Sequence, residues 1–225
     1  NLADHFFVTE QSGIDNLLEE GKKAADIYFV GNTMIDALVA YDQVIAENTI
    51  MTKLDVTERA FALVTIHRPS NVDNKSALEQ NIHLLQNIAI KYPVVFPVHP
   101  RTKNKLEQFQ LLSLLTSNPN IRICEPLDYF AFQKLIASCK FIVTDSGGIQ
   151  EEATFRKKPC ITIRPNTERP STITLGTNTL VEADISKINQ LITDIEKHNY
   201  KEGNIPPLWD GKATARIFQV LDKLR

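Results

Sequence analysis

Short apolar runs alternate along this chain with longer stretches in which apolar residues recur every three or four positions. The short runs are typical of buried strands, and the longer periodicity is typical of amphipathic helices. The pattern predicts strands at residues 5–8, 27–30, 61–66, 94–98, 121–124, 141–144 and 160–164. It predicts helices at 10–20, 32–47, 75–92, 103–115, 128–139 and 211–225, and long loops at 52–60 and 165–178.

Strands that alternate with helices of these lengths predict an α/β fold, with right-handed crossovers and a parallel sheet covered on both faces. In such sheets ligands bind outside the carboxyl ends of the strands. His67, His99, Asp145 and Arg164 each lie at or just past such an end. We therefore expect these four side chains on one edge of the sheet.

The segment from 144 to 164 combines a strand, a glycine turn and a helix, an arrangement that binds phosphate groups. Gly147 and Gly148 allow the backbone to approach a ligand closely, and Ser146 can cap the helix or donate a hydrogen bond. The unpaired N–H groups of the first helical turn would face an anion. The alternative is an ordinary helix cap, because Asp and Ser favour helix starts in many proteins.

Two carboxylates follow on the same helix. Glu152 comes one turn after Gly148, so it would reach a ribose diol beside a phosphate held at the helix start. Glu151 points about 100° away, and we expect it to be exposed or to serve packing. Arg164 would bind a pyrophosphate or pair with a nearby acid.

The two histidines have open alternatives as well. Each follows a strand and precedes a cation, in the sequences HRPS at His67 and HPRT at His99. An imidazole there would contact a phosphate or a sugar hydroxyl, or it would be held by backbone groups in a turn.

Composition narrows the classes of partner. The 225 residues are 43% hydrophobic and carry a formal net charge of −2, so we expect no nucleic-acid partner and no membrane partner. The three cysteines have no paired spacing, which favours a reducing cytoplasm over a disulfide framework. The usual P-loop, dinucleotide, nucleophile-elbow and zinc motifs are missing from the sequence, so we predict no cofactor and no dedicated metal site.

Six blocks of sequence resemble the non-hydrolysing UDP-N-acetylglucosamine 2-epimerases. They are FVGNTMIDAL, LVTIHRPSNVDN, FPVHPRT, TDSGGIQEEA, RPNTERP and DGKATARI, in the family's order. The resemblance departs from the family's pattern at Ser70, where an acid is common, and at IPPLWDG before the last helix.

The resemblance implies two Rossmann-like doubly wound domains of the glycosyltransferase B type, with UDP-sugar in the cleft between them. Residues 1–30 would be the tail end of the N-terminal domain and the linker. Residues 31–225 would be the C-terminal, UDP-binding domain, with a terminal crossover helix at 211–225. The bulk of the N-terminal domain would then be missing from these residues.

The family's activity is the conversion of UDP-N-acetylglucosamine to UDP-N-acetylmannosamine, by elimination and re-addition of UDP. The resemblance implies an isomerase without a cofactor, active in the cytoplasm as a homodimer in full-length form, which supplies cell-surface polysaccharide biosynthesis. Because the carboxylates for acid–base work lie largely in the other domain, we expect these residues alone to be inactive.

The resemblance also assigns roles to single residues. His67 would be catalytic, or would contact the diphosphate. Arg68 and His99 would belong to a second, activating UDP-N-acetylglucosamine site. The UDP-binding group would be Ser146, Gly147 and Gly148 at the diphosphate, Glu152 at the ribose, Arg164 at the diphosphate and Phe132 beside the uracil.

The residues are also compatible with two other functions. One is a glycosyltransferase of the same architecture, which uses a nucleotide-sugar donor. The other is a stand-alone module that senses a UDP-sugar.

Overall fold

The computed structural model describes residues 2–182 and 184–224. Its strands are β1 (Phe6–Val8), β2 (Ile27–Phe29), β3 (Ala62–Thr65), β4 (Val94–Pro97), β5 (Ile121–Cys124), β6 (Phe141–Thr144), β7 (Cys160–Ile163) and β8 (Asn178–Val181). Its helices are α1 (Gln11–Glu19), α2 (Thr33–Ala40), α3 (Asp42–Glu47), α4 (Ile50–Lys53), α5 (Pro69–Val72), α6 (Lys75–Ala89), α7 (Pro100–Gln108), α8 (Leu112–Thr116), α9 (Tyr129–Ser138), α10 (Gly147–Phe155), α11 (Pro170–Thr174), α12 (Ile185–Glu196) and α13 (Ala213–Lys223).

Six strands form the main sheet, in the spatial order β5-β4-β3-β6-β7-β8, and every neighbouring pair is parallel. The chain runs outward from β3 in one direction and outward from β6 in the other. The two middle strands therefore form the topological switch point, where the loops diverge and leave a crevice at the carboxyl ends. The predicted doubly wound, Rossmann-like sheet is confirmed.

Alternating residues of the buried strands divide between two apolar cores. In β3, Ala62 and Val64 pack with α6 and α12, whereas Leu63 packs with α9 and α10 on the other face. The same alternation places Phe141 and Ile142 of β6 on opposite faces. Both faces are thus covered by helices, which leaves the edges and ends of the strands for a ligand.

Residues 6–8 and 27–29 form a separate parallel pair, β1 with β2. The Trp209 indole N–H donates to the carbonyl of Thr9 at 2.9 Å, and the carboxylate of Glu10 accepts from the backbone N–H of Ser171 at 3.2 Å. The small sheet is therefore held both against the segment that precedes α13 and against the start of α11. The division into domains at residues 30 and 31 stays a prediction, and residues 1, 183 and 225 of the two predicted ranges lie outside the described residues.

Several predicted boundaries were wrong for identifiable reasons. The helix predicted at 103–115 is broken into α7 and α8 because Gln110 adopts a left-handed φ of 59°. The terminal helix begins at Ala213, not at Gly211, whose φ of 81° is also left-handed. The helix predicted at 32–47 is divided at Tyr41 into α2 and α3.

The pattern did not predict five of the elements, namely α4, α5, α11, β8 and α12. The predicted loop 165–178 contains α11. The next two elements are β8, which is an edge strand of the main sheet, and α12.

Within the described part of the chain, no helix has both the length and the apolar character needed to cross a bilayer.

Candidate functional site

A cavity of about 210 Å³ opens at the carboxyl ends of β3, β4 and β6. Four residues predicted for the site line it, namely His67, His99, Phe132 and Ser146. Apolar side chains form most of the remaining wall, including Ile66, Pro97, Leu127 and Ile149. The sheet topology therefore brings together His67 and Ser146, which are 79 positions apart in sequence.

A cavity of about 250 Å³ lies elsewhere, between α6 and α12, and is lined by Lys91, Tyr92 and Thr193 among others. None of the predicted site residues lines it. Size alone does not identify a functional site, so we place the candidate site at the switch point, where the polar groups converge.

Asp145 is the centre of the polar network at the switch point. One carboxylate oxygen, Oδ2, accepts hydrogen bonds from the backbone N–H groups of His67 and Arg68 and from the side-chain amide of Asn71, at 2.9, 2.8 and 2.9 Å. The other, Oδ1, lies 2.8 Å from Nδ1 of His67. Burial alone would raise the pKa of this carboxyl, but the hydrogen bonds from His67, Arg68 and Asn71 outweigh burial and hold the pKa below its usual range.

The two histidines lie side by side, with ring centroids 5.1 Å apart. Nδ1 of His67 faces Asp145, and Nδ1 of His99 accepts the backbone N–H of Arg101 at 3.1 Å. In both rings Nε2 is therefore the nitrogen left for a ligand. His99 also occupies the N-cap of α7, so this histidine both caps a helix and lines the cavity.

The start of α10 has the form expected of an anion site. Ser146 occupies the N-cap, but its side chain makes no capping hydrogen bond, so the first-turn N–H groups have no side-chain partner. A Cβ at Gly147 would meet nothing within 4 Å, which means that this backbone faces open space. Gly148 instead packs against α2, because a Cβ there would lie 3.2 Å from Cε of Met34.

Glu152 lies one turn further along α10 and is only 6% exposed. Burial raises the pKa of its carboxyl to about 7; a hydrogen bond from Gln133 opposes this, and the charge of Glu151 adds to it. Phe132, on the neighbouring α9, lines the cavity and also packs against the core. Both the predicted uracil contact and its core-packing alternative are compatible with that position.

Glu151 is not an exposed residue; it is 2% exposed. Its Oε1 accepts a hydrogen bond from Asn32 at 3.0 Å and lies 3.1 Å from Nε of Arg169. The expectation of exposure was therefore wrong, and the packing alternative was right. The carboxylate ties α10 to the start of α2 and to the loop after β7.

Arg164, at the end of β7, is 8% exposed and donates to Glu168 at 2.8 Å. Arg68 approaches the other oxygen of Glu168, at 3.5 Å, and its Nε donates to the carbonyl of Asp145 at 2.9 Å. The hydrogen bond from Arg164 lowers the pKa of Glu168 to about 2. Two guanidinium groups thus converge on one carboxylate, as they would on a phosphate.

Sequence reasoning missed Asn71 and Glu168 and identified Asp145 only by its place at a strand end. The sequence did contain a signal for Glu168, because an acid four positions after Arg164 is spaced to form an ion pair with it. Asn71 lies in the one-turn helix α5, too short to show a periodicity. Within residues 2–182 and 184–224, no group of three or more His, Cys, Asp or Glu side chains is placed to hold a metal ion.

Known proteins of one family are similar to this chain in sequence and in fold. A family profile described as UDP-N-acetylglucosamine 2-epimerase matches residues 1–222. The crystal structure of the Methanocaldococcus jannaschii UDP-GlcNAc 2-epimerase, in complex with UDP-GlcNAc and UDP, is 36% identical with a TM-score of 0.87; the match covers 98% of this chain and 61% of that one. The Neisseria meningitidis UDP-GlcNAc 2-epimerase bound to UDP-GlcNAc is 29% identical with a TM-score of 0.82, over 99% and 62% of the two chains.

A relative with a different substrate in its name is similar to a comparable degree. The UDP-2,3-diacetamido-2,3-dideoxy-D-glucuronate 2-epimerase of Pseudomonas aeruginosa is 33% identical over 227 residues, which cover 99% of this chain and 61% of the relative. This chain thus spans about 61% of the length of such relatives. The structural likeness confirms the predicted fold class, the Rossmann-like half of a glycosyltransferase B type architecture. With a family profile that matches nearly its whole length, the chain belongs to the UDP-N-acetylglucosamine 2-epimerase family.

Proposed function

We propose that this chain holds the UDP part of UDP-N-acetylglucosamine for an isomerase that inverts the sugar at C2, by elimination and re-addition of UDP. The observation that carries the proposal is the convergence, at one switch point, of an uncapped helix start, an imidazole and two guanidinium groups. Such an arrangement favours a diphosphate, because backbone N–H groups and guanidinium groups both bind phosphate oxygens.

The diphosphate would lie between the start of α10 and Arg164. Ser146, Gly147 and Gly148 would provide the helix start, and the open space at Gly147 supports a close approach of the ligand. Arg164 would stabilise the charge that develops on the leaving UDP, because electrostatic stabilisation acts where charge appears in the transition state. Glu168 would leave the guanidinium groups when the diphosphate arrives.

The nucleoside would extend toward α9 and the buried turn of α10. Glu152 would accept hydrogen bonds from the ribose hydroxyls, and Phe132 would form an apolar wall for the uracil. A carboxylate accepts such bonds best when it is ionised. Because the pKa of Glu152 is near 7, hydrogen bonds from ligand hydroxyls would shift this carboxyl to its ionised form at neutral pH.

His67 would act at the reacting end of the diphosphate, as a catalytic or phosphate-contacting group. Arg68 and His99 remain proposed for an activating second UDP-N-acetylglucosamine site. Both lie beside His67, so that second ligand would be close to the first. The homodimer, the place in the cytoplasm and the supply of cell-surface polysaccharide synthesis also stay predictions.

The first prediction concerns the affinity for UDP. Arg164→Ala removes a charge-assisted contact worth about 1.5–3 kcal/mol, so UDP should bind about 10- to 100-fold more weakly. Titration calorimetry of the chain with UDP measures the change, and Arg59→Ala, which removes an exposed guanidinium elsewhere, should leave affinity unaltered. A well-folded chain that binds no UDP would contradict the proposal, and so would equal effects of the two variants.

Glu168→Gln should have the opposite effect on UDP binding. Glu168 is ionised at neutral pH and competes with the diphosphate for Arg164 and Arg68. An exposed ion pair is worth up to about 1 kcal/mol, so UDP should bind about two- to fivefold more tightly to the variant. Weaker binding in the same titration would mean that Glu168 organises the site for UDP instead of occupying it.

The raised pKa of Glu152 predicts a pH dependence of stability. The folded state retains a proton that the unfolded chain loses near its ordinary pKa of 4.5, so stability falls as pH rises from about 4.5 to 7 and levels off above. Glu152→Gln mimics the protonated form and should lack this loss, on the order of 3 kcal/mol. Urea unfolding at a series of pH values measures both proteins. If the difference in unfolding free energy between the wild type and Glu152→Gln stayed constant from pH 4.5 to 7, the buried charge of Glu152 would not be the cause of the pH dependence.

Turnover is the last prediction for this function. We expect the 225 residues alone to leave UDP-N-acetylglucosamine unchanged, because the carboxylates that the family resemblance assigns to proton transfer have no counterpart identified among them. Proton NMR in deuterated water follows the C2 position of the sugar. Deuterium at C2 would show that these residues suffice for epimerisation, and transfer of the sugar to an acceptor would favour a glycosyltransferase instead.

A further inference from the structure

We propose that Asp145 is a positioning residue that holds His67 in a single tautomer, with hydrogen on Nδ1, so that protons reach and leave this imidazole only at Nε2. The inference rests on the proposed function, in which His67 meets the ligand at the cavity. It adds a partner that the family resemblance did not assign to this histidine.

The tautomer follows from the contact between the two side chains. Oδ1 of Asp145 lies 2.8 Å from Nδ1 of His67, and the carboxyl is fully buried. An ionised carboxylate only accepts hydrogen bonds, so the nitrogen that faces it must carry the hydrogen. In the opposite tautomer two lone pairs would face each other in a buried place, which costs free energy.

The carboxylate itself is held in place from its other side. Three N–H groups, from the backbone of His67 and Arg68 and the side chain of Asn71, donate to Oδ2. These bonds prevent the carboxylate from turning and also fix the loop that carries His67. Asp145 therefore orients the ring by contacting both the backbone N–H and the side chain of His67.

The proton of His67 can be exchanged at only one ring nitrogen. Nδ1 carries a hydrogen in the neutral ring and in the cationic ring alike, so its 2.8 Å contact with Asp145 persists in both states. Only Nε2 changes: its lone pair takes up one proton at the cavity and returns it there. The ring need not rotate between these states, which keeps the acid form and the base form in the same geometry.

His99 provides a natural contrast. Its Nδ1 accepts a hydrogen bond from the backbone N–H of Arg101 at 3.1 Å, so its hydrogen must lie on Nε2 in the neutral ring. Two neighbouring histidines, with ring centroids 5.1 Å apart, are thus expected in opposite tautomers.

Asp145→Asn offers a specific test, because an amide has only one accepting oxygen. Three donors face the Oδ2 side and a single ring nitrogen faces the other, so the amide oxygen should take the Oδ2 side. The amide NH₂ would then donate to Nδ1 of His67 and transfer the ring hydrogen to Nε2. In serine proteases the same exchange at the aspartate behind the histidine lowers kcat by about 10⁴ through the wrong tautomer.

Long-range proton–nitrogen NMR of the ¹⁵N-labelled chain, at a pH where the imidazoles are neutral, reads the tautomer directly. The spectrum of His67→Gln identifies the His67 signals among those of the five histidines. We expect Nδ1–H in the wild type and Nε2–H in Asp145→Asn, with His99 as Nε2–H in both. Asn71→Ala, which removes one donor to Oδ2 and leaves the contact with Nδ1, should retain Nδ1–H.

An Nε2–H tautomer of His67 in the wild type would overturn the proposal, even if Asp145→Asn failed to fold. An unchanged tautomer in a folded Asp145→Asn would overturn it too. These signals do not require a ligand, so they decide the role of Asp145 whether or not the chain binds UDP.

UDP affinity separates positioning from general structural support. Asp145→Asn should change the UDP dissociation constant by about threefold or more, and the change should vanish in a His67→Gln background. An effect of the same size in both backgrounds would mean that Asp145 acts on the loop as a whole and not through His67.

Discussion

The buried carboxylate of Asp145 joins the two loops that diverge at the centre of the sheet. It follows β6, and its hydrogen-bond donors His67, Arg68 and Asn71 follow β3, the neighbouring strand. In a doubly wound sheet these two loops run in opposite directions and would otherwise leave an open crevice. A single ionised side chain, with three N–H donors to one oxygen and the imidazole 2.8 Å from the other, gives that crevice a defined shape.

The remaining charges of the site are arranged around this fixed point. Arg68 is bonded to the Asp145 carbonyl and extends to Glu168, which Arg164 also contacts. The site therefore already contains an anion between its cations, and a diphosphate would replace one anion by another. Glu152 shows the complementary situation, because its buried carboxyl has a pKa near 7 and gains most from ligand hydroxyls that donate to its ionised form. Both features fit a ligand that contains an anionic diphosphate and a neighbouring group with several hydroxyls.

Much of the fold could be predicted from the sequence because its central strands are continuous buried apolar runs, such as Phe141–Thr144. β8, Asn178–Val181, lies at the edge and begins with a buried asparagine, so its pattern is weak. α12 was missed although Ile188, Ile192 and Ile195 have helical spacing. Helix ends depended on left-handed residues such as Gln110, whose conformation no apolar pattern reports.

The site was predictable in its location but less so in its contacts. Strand ends and the glycine turn indicated His67, Ser146 and Arg164. The bond between Asp145 and the backbone of His67 joins residues 78 positions apart, and it depends on β3 and β6 being neighbours. Glu151 was misjudged for a similar reason, since its partner Asn32 is 119 positions away.

We expect UDP to bind at the switch point, with its diphosphate at the start of α10. A proton–nitrogen correlation spectrum of the backbone amides, recorded while UDP is added, tests this most directly. The largest shifts should occur at the N–H groups of Gly147 and Gly148, because no side chain caps them. Shifts confined to other surfaces, such as the cavity between α6 and α12 beside Lys91 and Thr193, with none at these two glycines, would contradict it.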